Sequence, residues 1–415
     1  MKYNYTKNVV LALAFGFPAL AIAGTEMVPM EPAAEKNCGD WCEWWSNKPG
    51  MLYKDASNPF LQEFQVEGRL QYQGAYYDGD DVAGGSMNGR FGEFRRARAG
   101  VKAKFLQYFG AKYQVNLVSD GRPSGGDLDW GYQDIDEAYL SFDLGKAIGG
   151  DIFEELNLVY GRQKFVIGNE AHTSSTKLLT VERSAIANKI YGSYRPTGAT
   201  VEGVIGQFSF ANSLYSSSVD GDGGEFNSWQ DSAVYLGNLS FAVNDELTLS
   251  ADYTYNFADV TDNEDSIIDY AWATAFGAQY DAGLYGVNAD FIYGDNGAAR
   301  LGNGNTRDGE FWGVVLTPYY WIWEDKLQLV GQYQYQGSDS SEGVRVNSRY
   351  ATRAETGAGI NSGRGDSHHS LYAGLNYYVC GHNAKVQSGI EYQTMDTPVG
   401  DYDSVTYLLA FRSYF

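Results

Sequence analysis

The stretch LTLSADYTYNF, residues 247–257, alternates without interruption between apolar and polar side chains. A period of two residues is that of a β-strand, in which successive side chains point to opposite faces. The same pattern returns in residues 64–76, 97–105, 327–336 and 371–379. Each stretch predicts a strand of about ten residues with one apolar and one polar face.

The connections between these stretches alternate between short and long. Short connections carry turn residues, as in 244–246, 281–283, 323–325 and 381–383. The long connections are polar and rich in glycine, and they cover residues 77–90, 119–131, 165–187, 211–231, 258–270, 295–309, 337–367 and 395–402. Eight long loops predict eight strand pairs, and therefore an all-β, 16-stranded antiparallel transmembrane β-barrel over residues 61–415. In outer-membrane barrels the short turns are periplasmic.

The composition excludes several other classes of protein. The 415 residues include 50 Gly and 33 Tyr but only 9 Pro, which suits long pleated strands joined by turns. No run of 18 apolar residues follows the N-terminus, so membrane-spanning helices are excluded. The formal net charge of −22 argues against a nucleic-acid partner.

The first 23 residues have the three parts of a secretory signal peptide. Lys2 and Lys7 precede an apolar stretch, residues 9–23, which ends in the cleavage pattern Ala-Ile-Ala. Residues 24–60 contain four prolines and show no periodicity, and we interpret them as an N-terminal periplasmic extension. The mature protein therefore works outside the cytoplasm.

The three cysteines fit an exported protein. Cys38 and Cys42 lie four residues apart and could close a small disulfide loop in an oxidising compartment. A zinc site is disfavoured because no His or further Cys lies nearby. Cys380 follows a predicted strand and is expected to be a buried thiol.

The last strand gives the sharpest local signal. It places Val405, Tyr407, Leu409 and Phe411 on one face and ends on Phe415. This resembles the C-terminal signature of bacterial outer-membrane proteins, through which the barrel assembly machinery would recognise Phe415. We therefore expect the chain in the outer membrane of a Gram-negative bacterium, in contact with outer-membrane lipid.

A barrel of this size predicts a water-filled channel. Side chains cannot fill the interior of sixteen strands, so passive diffusion of small hydrophilic solutes or inorganic anions is the expected function. The third long loop, 165–187, is the most apolar of the eight and carries Phe165, Ile167 and Leu178. Such side chains are poorly placed in open water, and we expect this loop to fold inward against the barrel wall.

Several segments resemble one family of porins. FRRARAGVKAK at 94–104, DEAYL at 136–140, GRQKF at 161–165, TSS at 173–175 and VERS at 181–184 follow one another. In this order and spacing they are similar to the phosphate-selective porin O/P family. The resemblance implies a trimeric, 16-stranded porin with loop three folded inward and basic residues lining the channel.

The candidate pore-lining and anion-binding residues are cationic side chains on the predicted inner face and in loop three. They are Arg69, Arg96, Arg98, Lys102, Lys104, Lys112, Arg162, Lys164, Lys177, Arg183 and Arg412. Clustered guanidinium groups suit oxyanions, because they donate bidentate hydrogen bonds. Carboxylates are predicted on the same face: Glu67, Glu137, Asp143, Asp252, Asp290 and Glu391. The basic residues are therefore read either as an anion filter or as ordinary partners of these carboxylates.

Two other functions stay open at this point. One is a general or cation-tolerant porin whose acidic loops dominate, and the other is a plugged structural or adhesive barrel. The sequence contains no catalytic, cofactor or metal motif in a fitting context, so no enzyme, cofactor or metal site is expected. The acidic stretch 220–225 lacks the full order of calcium ligands and reads as a solvated loop tip.

Overall fold

The protein is described by a computed structural model that covers residues 40–46, 49–118, 130–150, 152–191, 195–218, 226, 229, 232–258, 266–300, 306–347 and 349–415. Sixteen strands, named β1 to β16, form a closed barrel, and one further short strand extends the same sheet. In chain order they are Leu61–Asp80, Ser86–Phe105, Phe109–Asn116, Asp134–Asp143, Glu155–Arg162, Thr197–Ile205, Phe208–Ser216, Ala233–Ala242, Leu247–Asn256, Trp272–Asp281, Tyr285–Asp295, Glu310–Trp323, Leu327–Ser338, Ser367–Cys380, Ala384–Thr397 and Gly400–Tyr414.

The sheet closes on itself. Each strand pairs antiparallel with its neighbour in the chain, and β1 also pairs antiparallel with β16. At the closure, Gln71 of β1 lies between Arg96 of β2 and Arg412 of β16. The predicted 16-stranded antiparallel barrel is therefore confirmed.

The barrel strands carry apolar side chains on their outer face and polar side chains on their inner face, which is the reverse of a water-soluble protein. On β14, Leu371 and Leu375 point outward with 59% and 41% exposure, whereas His368 and Asn376 point inward and are buried. Apolar side chains thus face the lipid, and polar side chains face the interior, as in an outer-membrane barrel. Burial alternates in the same way at Thr254 and Tyr255 of β9.

Two of the eight expected long loops are short. The first reaches only from 81 to 85, and the last only from 398 to 399. The strands continue into these polar stretches because their inward side chains, including Tyr77, Met87 and Tyr402, are buried in the interior. The third connection is longer than predicted and covers 163–196.

Several short strands and helices lie outside the sixteen barrel strands. The strand Met51–Lys54 pairs with β1, and the two-residue strands Ala299–Arg300 with Thr306–Arg307 and Val344–Arg345 with Arg364–Gly365 form two small ladders. The helices are α1 Asp40–Ser46, α2 Leu144–Ile148, α3 Asn169–His172, α4 Ala185–Tyr191 and α5 Ala351–Ala354, with a 3₁₀ turn at Asn361–Gly363. None of the helices in the described ranges is long and apolar enough to cross a membrane.

The cysteines pair differently from the expectation. Cys42 of α1 forms a disulfide with Cys380 at the end of β14, with their Cα atoms 5.2 Å apart. The expected Cys38–Cys42 loop and the free Cys380 thiol are therefore wrong, because the fold brings together two cysteines separated by 338 residues. Cys38 itself and the predicted signal peptide, 1–23, lie outside the described residues.

This disulfide fastens the N-terminal segment to the short-turn end of the barrel. Beside it, the indole N–H of Trp45 donates to the carbonyl of Asn383 at 3.3 Å, and the Trp45 ring meets that of Phe415 edge-on at 5.8 Å. The barrel closes through its own strand pairs, so the disulfide holds the segment and not the ring.

Removing the disulfide should release the segment and leave the barrel intact. In Cys42→Ser we expect the docking of residues 40–60 to weaken by about 2–4 kcal/mol. Limited proteolysis with mass spectrometry should then cut this segment much faster, while the thermal midpoint of the barrel changes little. Cys38→Ser is the matched control, and a similar cleavage rate in both variants would contradict this assignment.

Candidate functional site: the interior basic wall

Basic side chains gather on the inner face of the first strands. We call Arg69, Arg96, Arg98, Lys102, Lys104 and Lys112 the basic wall; all six come from alternate positions of β1 to β3 and share the interior side. Lys102 and Lys104 are accessible, with side chains 42% and 70% exposed. Lys102 pairs with Glu67 at 2.5 Å, and Lys104 lies 4.0 Å from Glu63.

The deeper part of the wall is a buried ion-pair network. Asp136 of β4 accepts from Arg98 at 2.6 Å and from Arg195 at 3.0 Å. Next to it, Glu137 pairs with Lys112 at 2.6 Å and with Lys164 at 3.6 Å. Four cations thus surround two adjacent carboxylates, which leaves a local excess of positive charge.

A β-bulge adds a cation that the alternation did not reveal. Gln71 lies opposite Arg96 and Tyr72 opposite Phe94, so the register of the two strands shifts by one residue at Arg95. The extra residue lets both Arg95 and Arg96 contact the interior. Arg95 pairs with Glu182 of the third connection at 2.8 Å, and Arg96 donates to the Gln71 side chain at 2.9 Å.

The third long connection, residues 163–196, has many buried side chains, among them Phe165, Ile167 and Val181, and for this burial alone we call it the inner segment. Although burial alone would raise it, the pKa of Glu182 lies well below its usual range, because Arg95 and Arg349 stabilise the carboxylate. Glu182 therefore stays ionised at neutral pH. Arg183 donates to the backbone carbonyls of Glu170 and Thr173 at 2.6 and 2.8 Å, so it holds the segment's own fold.

The inner segment is hydrogen-bonded to β1 and to the last strands. Arg69 donates a hydrogen bond to the Ser175 hydroxyl at 2.9 Å, and Arg412 donates one to the Ser175 backbone carbonyl at 3.0 Å. Arg412 also donates to the carbonyl of Val181. The carbonyl of Leu178 accepts from Lys385 of β15 at 2.7 Å. These cations bind backbone oxygens because the segment presents its unpaired carbonyls to them.

Other residues of the segment contact carboxylates of β9 and β11. The backbone N–H groups of Gly168 and Asn169 donate to Asp252 and Asp290 at 2.7 and 3.0 Å. Gly168 has φ of +81°, a conformation that favours glycine. His172 lies 2.9 Å from the same Asp252 carboxylate.

The structure gives the predicted site residues different surroundings. Lys102 and Lys104 are accessible, whereas Arg98, Lys112 and Lys164 are paired with buried carboxylates. Arg69 and Arg412 contact the inner segment, to which Lys177 and Arg183 belong, and Arg96 donates to Gln71. Arg162 donates to the carbonyl of Ile135 at 2.7 Å. Lys177 is half-buried and forms no ion pair with a described residue. Contacts missed from the sequence involve Arg95, Arg195, Arg349 and Arg353, of which the last two pair with Glu93 at 2.9 and 3.3 Å.

Metal-binding groups are not part of this geometry. In the part of the chain that the structure describes, no three His, Cys, Asp or Glu side chains are placed to hold a metal ion. The accessible basic surface can interact with a solute through hydrogen bonds and electrostatic attraction.

A family model described as phosphate-selective porin O and P matches residues 64–300, which is more than half of the chain. The protein belongs to this porin family. Family and fold together place this porin in the outer membrane of a Gram-negative bacterium, which confirms the expected family and location. A porin is a channel, so the comparison favours transport over catalysis.

Solved structures share the fold of this porin at low sequence identity. The outer-membrane channel DcaP of Acinetobacter baumannii is 16% identical, with a TM-score of 0.54; the match covers 88% of this chain and 99% of that one. A loop-deletion mutant of OmpT, an outer-membrane protein of Vibrio cholerae, is 11% identical, with a TM-score of 0.53. That match covers 85% of this chain and 99% of the OmpT chain. No curated protein matches this porin significantly.

Proposed function

We propose that this porin is a passive diffusion channel for small hydrophilic solutes and favours anions such as phosphate. The observation that carries the proposal is the accessible basic wall with its surplus of cations. Lys102 and Lys104 are open to water, while the carboxylates nearest to them, Glu67 and Glu63, are only 16% and 19% exposed. A solute at this surface therefore meets the cations first.

We also propose that the inner segment crosses the interior and narrows the channel. Its contacts support this placement. Gly168 binds Asp252 of β9, whereas Ser175 is bound by Arg69 of β1. In a ring of sixteen strands, β1 and β9 lie on opposite walls. A stretch of eight residues that joins both walls has its shortest course through the interior.

The remaining expectations complete the proposal. They are cleavage after Ala23, a periplasmic position for residues 24–60, assembly as a homotrimer in outer-membrane lipid, and recognition of Phe415 by the barrel assembly machinery. The docking of α1 beside Phe415 at the short-turn end supports the periplasmic position of the extension.

A plugged barrel is the second candidate function. It is favoured by the burial of inward polar side chains along β13 to β15, where Gln336, His368 and Gln387 have no exposed surface. A barrel closed in this way would serve a structural or adhesive role through its long loops.

Conductance measurements separate these candidates. For the full mature chain in a planar bilayer, we expect stepwise currents and a reversal potential of anion-selective sign under a KCl gradient. Added phosphate should reduce the chloride current by competing for the basic wall. A reversal potential of cation-selective sign would contradict the anion preference, and the absence of current would favour the plugged barrel.

A further inference from the structure

The connection between β13 and β14 is long and packs against the rest of the molecule. We call residues 339–347 and 349–366 the lid. The apolar side chains of Val344, Val346 and Ile360 are buried. Buried apolar contacts keep such a connection in one conformation, unlike a loop that lies open to water. The lid is therefore an ordered part of the molecule with defined neighbours.

The lid is attached to β2 through one carboxylate. Glu93 of β2 accepts from Arg349 at 2.9 Å, from Arg353 at 3.3 Å and from the Tyr350 hydroxyl at 3.0 Å. The three donors lie at the start of α5, where residues three or four apart face the same side. Glu93 is 4% exposed, so the strand and the lid enclose this carboxylate between them.

Aromatic contacts and a second strand strengthen the same attachment. The Tyr350 ring stacks on Phe91 of β2 with the centroids 5.5 Å apart, and the Arg353 guanidinium lies 4.6 Å from the centre of the Phe91 ring. The side-chain amide of Gln73 on β1 donates to the Tyr350 hydroxyl at 2.6 Å and to Glu93 at 3.1 Å. Two strands of the barrel thus hold the lid at one point.

The strands that the lid passes have short connections of their own. It leaves β13, returns to β14 and touches β1 and β2, and between these strands in the ring lie β15 and β16. The connections at this part of the long-loop end are only 81–85 and 398–399. The backbone N–H of Ala358 donates to the Asp81 carboxylate at 2.9 Å. The lid therefore occupies the part of the mouth that these connections leave open.

The lid also contacts the inner segment. The side-chain amide of Asn347 donates to the carbonyl of Arg183 at 3.3 Å, and Nε of Arg349 lies 3.8 Å from the Glu182 carboxylate. A lid that is held at β2 is thereby also held against the segment that is proposed to narrow the channel.

We propose that the lid sets the size limit for solutes at the long-loop mouth, and that Glu93 is the positioning residue that holds it there. The inference rests on the proposed diffusion channel and adds a second restriction to that of the inner segment. A lid that covers part of a mouth slows large solutes more than small ones, whatever their charge.

Swelling of liposomes that contain the full mature chain measures this restriction with uncharged sugars. In the first variant, Asn-Gly replaces residues 347–362. The shortened chain can close, because the Val346 N–H donates to the Gly363 carbonyl at 2.9 Å and Asn-Gly suits a two-residue turn. We expect the entry rate of a trisaccharide, relative to that of a pentose, to rise about fivefold.

Glu93→Gln tests the positioning residue in a chain of full length. The amide keeps the size of the side chain but removes the charge that holds two buried guanidinium groups, so we expect the same ratio to rise about two- to threefold. Glu342→Gln is the matched control, because the Glu342 carboxylate accepts from Asn361 of the lid itself, at 3.2 Å. An unchanged ratio in the shortened chain, or equal effects of the two substitutions, would overturn the proposal.

Failure of the channel itself would look different. If liposomes with the unaltered chain admit neither sugar, the proposed diffusion function is wrong. Entry of the pentose through the shortened chain would then still support the lid, whereas no entry would overturn this proposal as well. Because both sugars are uncharged, the result does not depend on the proposed anion preference.

Discussion

Replacing Asp136 by Asn should destabilise the barrel by about 3–5 kcal/mol, since it leaves two buried guanidinium groups without their counter-charge. Asp136 is 2% exposed and joins Arg98, at 2.6 Å, to Arg195, at 3.0 Å. An amide of the same size keeps the packing but supplies no negative charge. The Coulombic gain that offset the burial of both cations is thereby lost.

A pair on the same wall provides the control. Glu63→Gln removes the same charge, but its partner Lys104 is 4.0 Å away with a side chain 70% exposed. Such a pair contributes about 0–1 kcal/mol. Urea unfolding in detergent, followed by tryptophan fluorescence, should separate the variants clearly. Equal losses of stability would show that the buried network does not support the barrel.

The architecture was predictable because it depends on a local pattern. Alternation in stretches such as 247–257 assigns each side chain to lipid or interior, and long and short connections give the strand number. The ends of β1 and β16 were less predictable, since polar residues above the bilayer look alike in strands and loops. The bulge at Arg95 leaves no trace in the alternation, so its second inward arginine was missed.

The spacing of the basic residues could be read from the sequence, but their partners could not. Basic residues stand at alternate positions of β2. Whether a cation is free or paired depends on contacts between distant parts of the chain, such as Arg349 with Glu93. The Cys42–Cys380 disulfide also depends on a contact between distant parts of the chain. Sequence spacing favours the near partner, Cys38, whereas the closed barrel determines which cysteines meet.

The second large effect concerns the accessible end of the basic wall. The double charge reversal Lys102→Glu and Lys104→Glu should shift the anion-to-cation permeability ratio toward cations by roughly tenfold, because charges a few ångströms from a solute contribute about 1 kcal/mol each even in water. Both side chains are exposed, at 42% and 70%, so folding should be little affected. Reversal potentials in a KCl gradient measure this ratio directly.

Two controls test whether the shift in permeability comes from the basic wall: measurement at different salt concentrations, and a double variant with the same change in net charge elsewhere. The Debye length falls from about 10 Å at 0.1 M salt to about 3 Å at 1 M, so the shift should shrink at high salt. Lys54→Glu with Lys146→Glu alters the net charge equally at two exposed positions outside the barrel strands, and it should change the ratio much less. If both double variants shift the reversal potential alike, total charge governs selectivity, and the basic wall does not line the path of the ions.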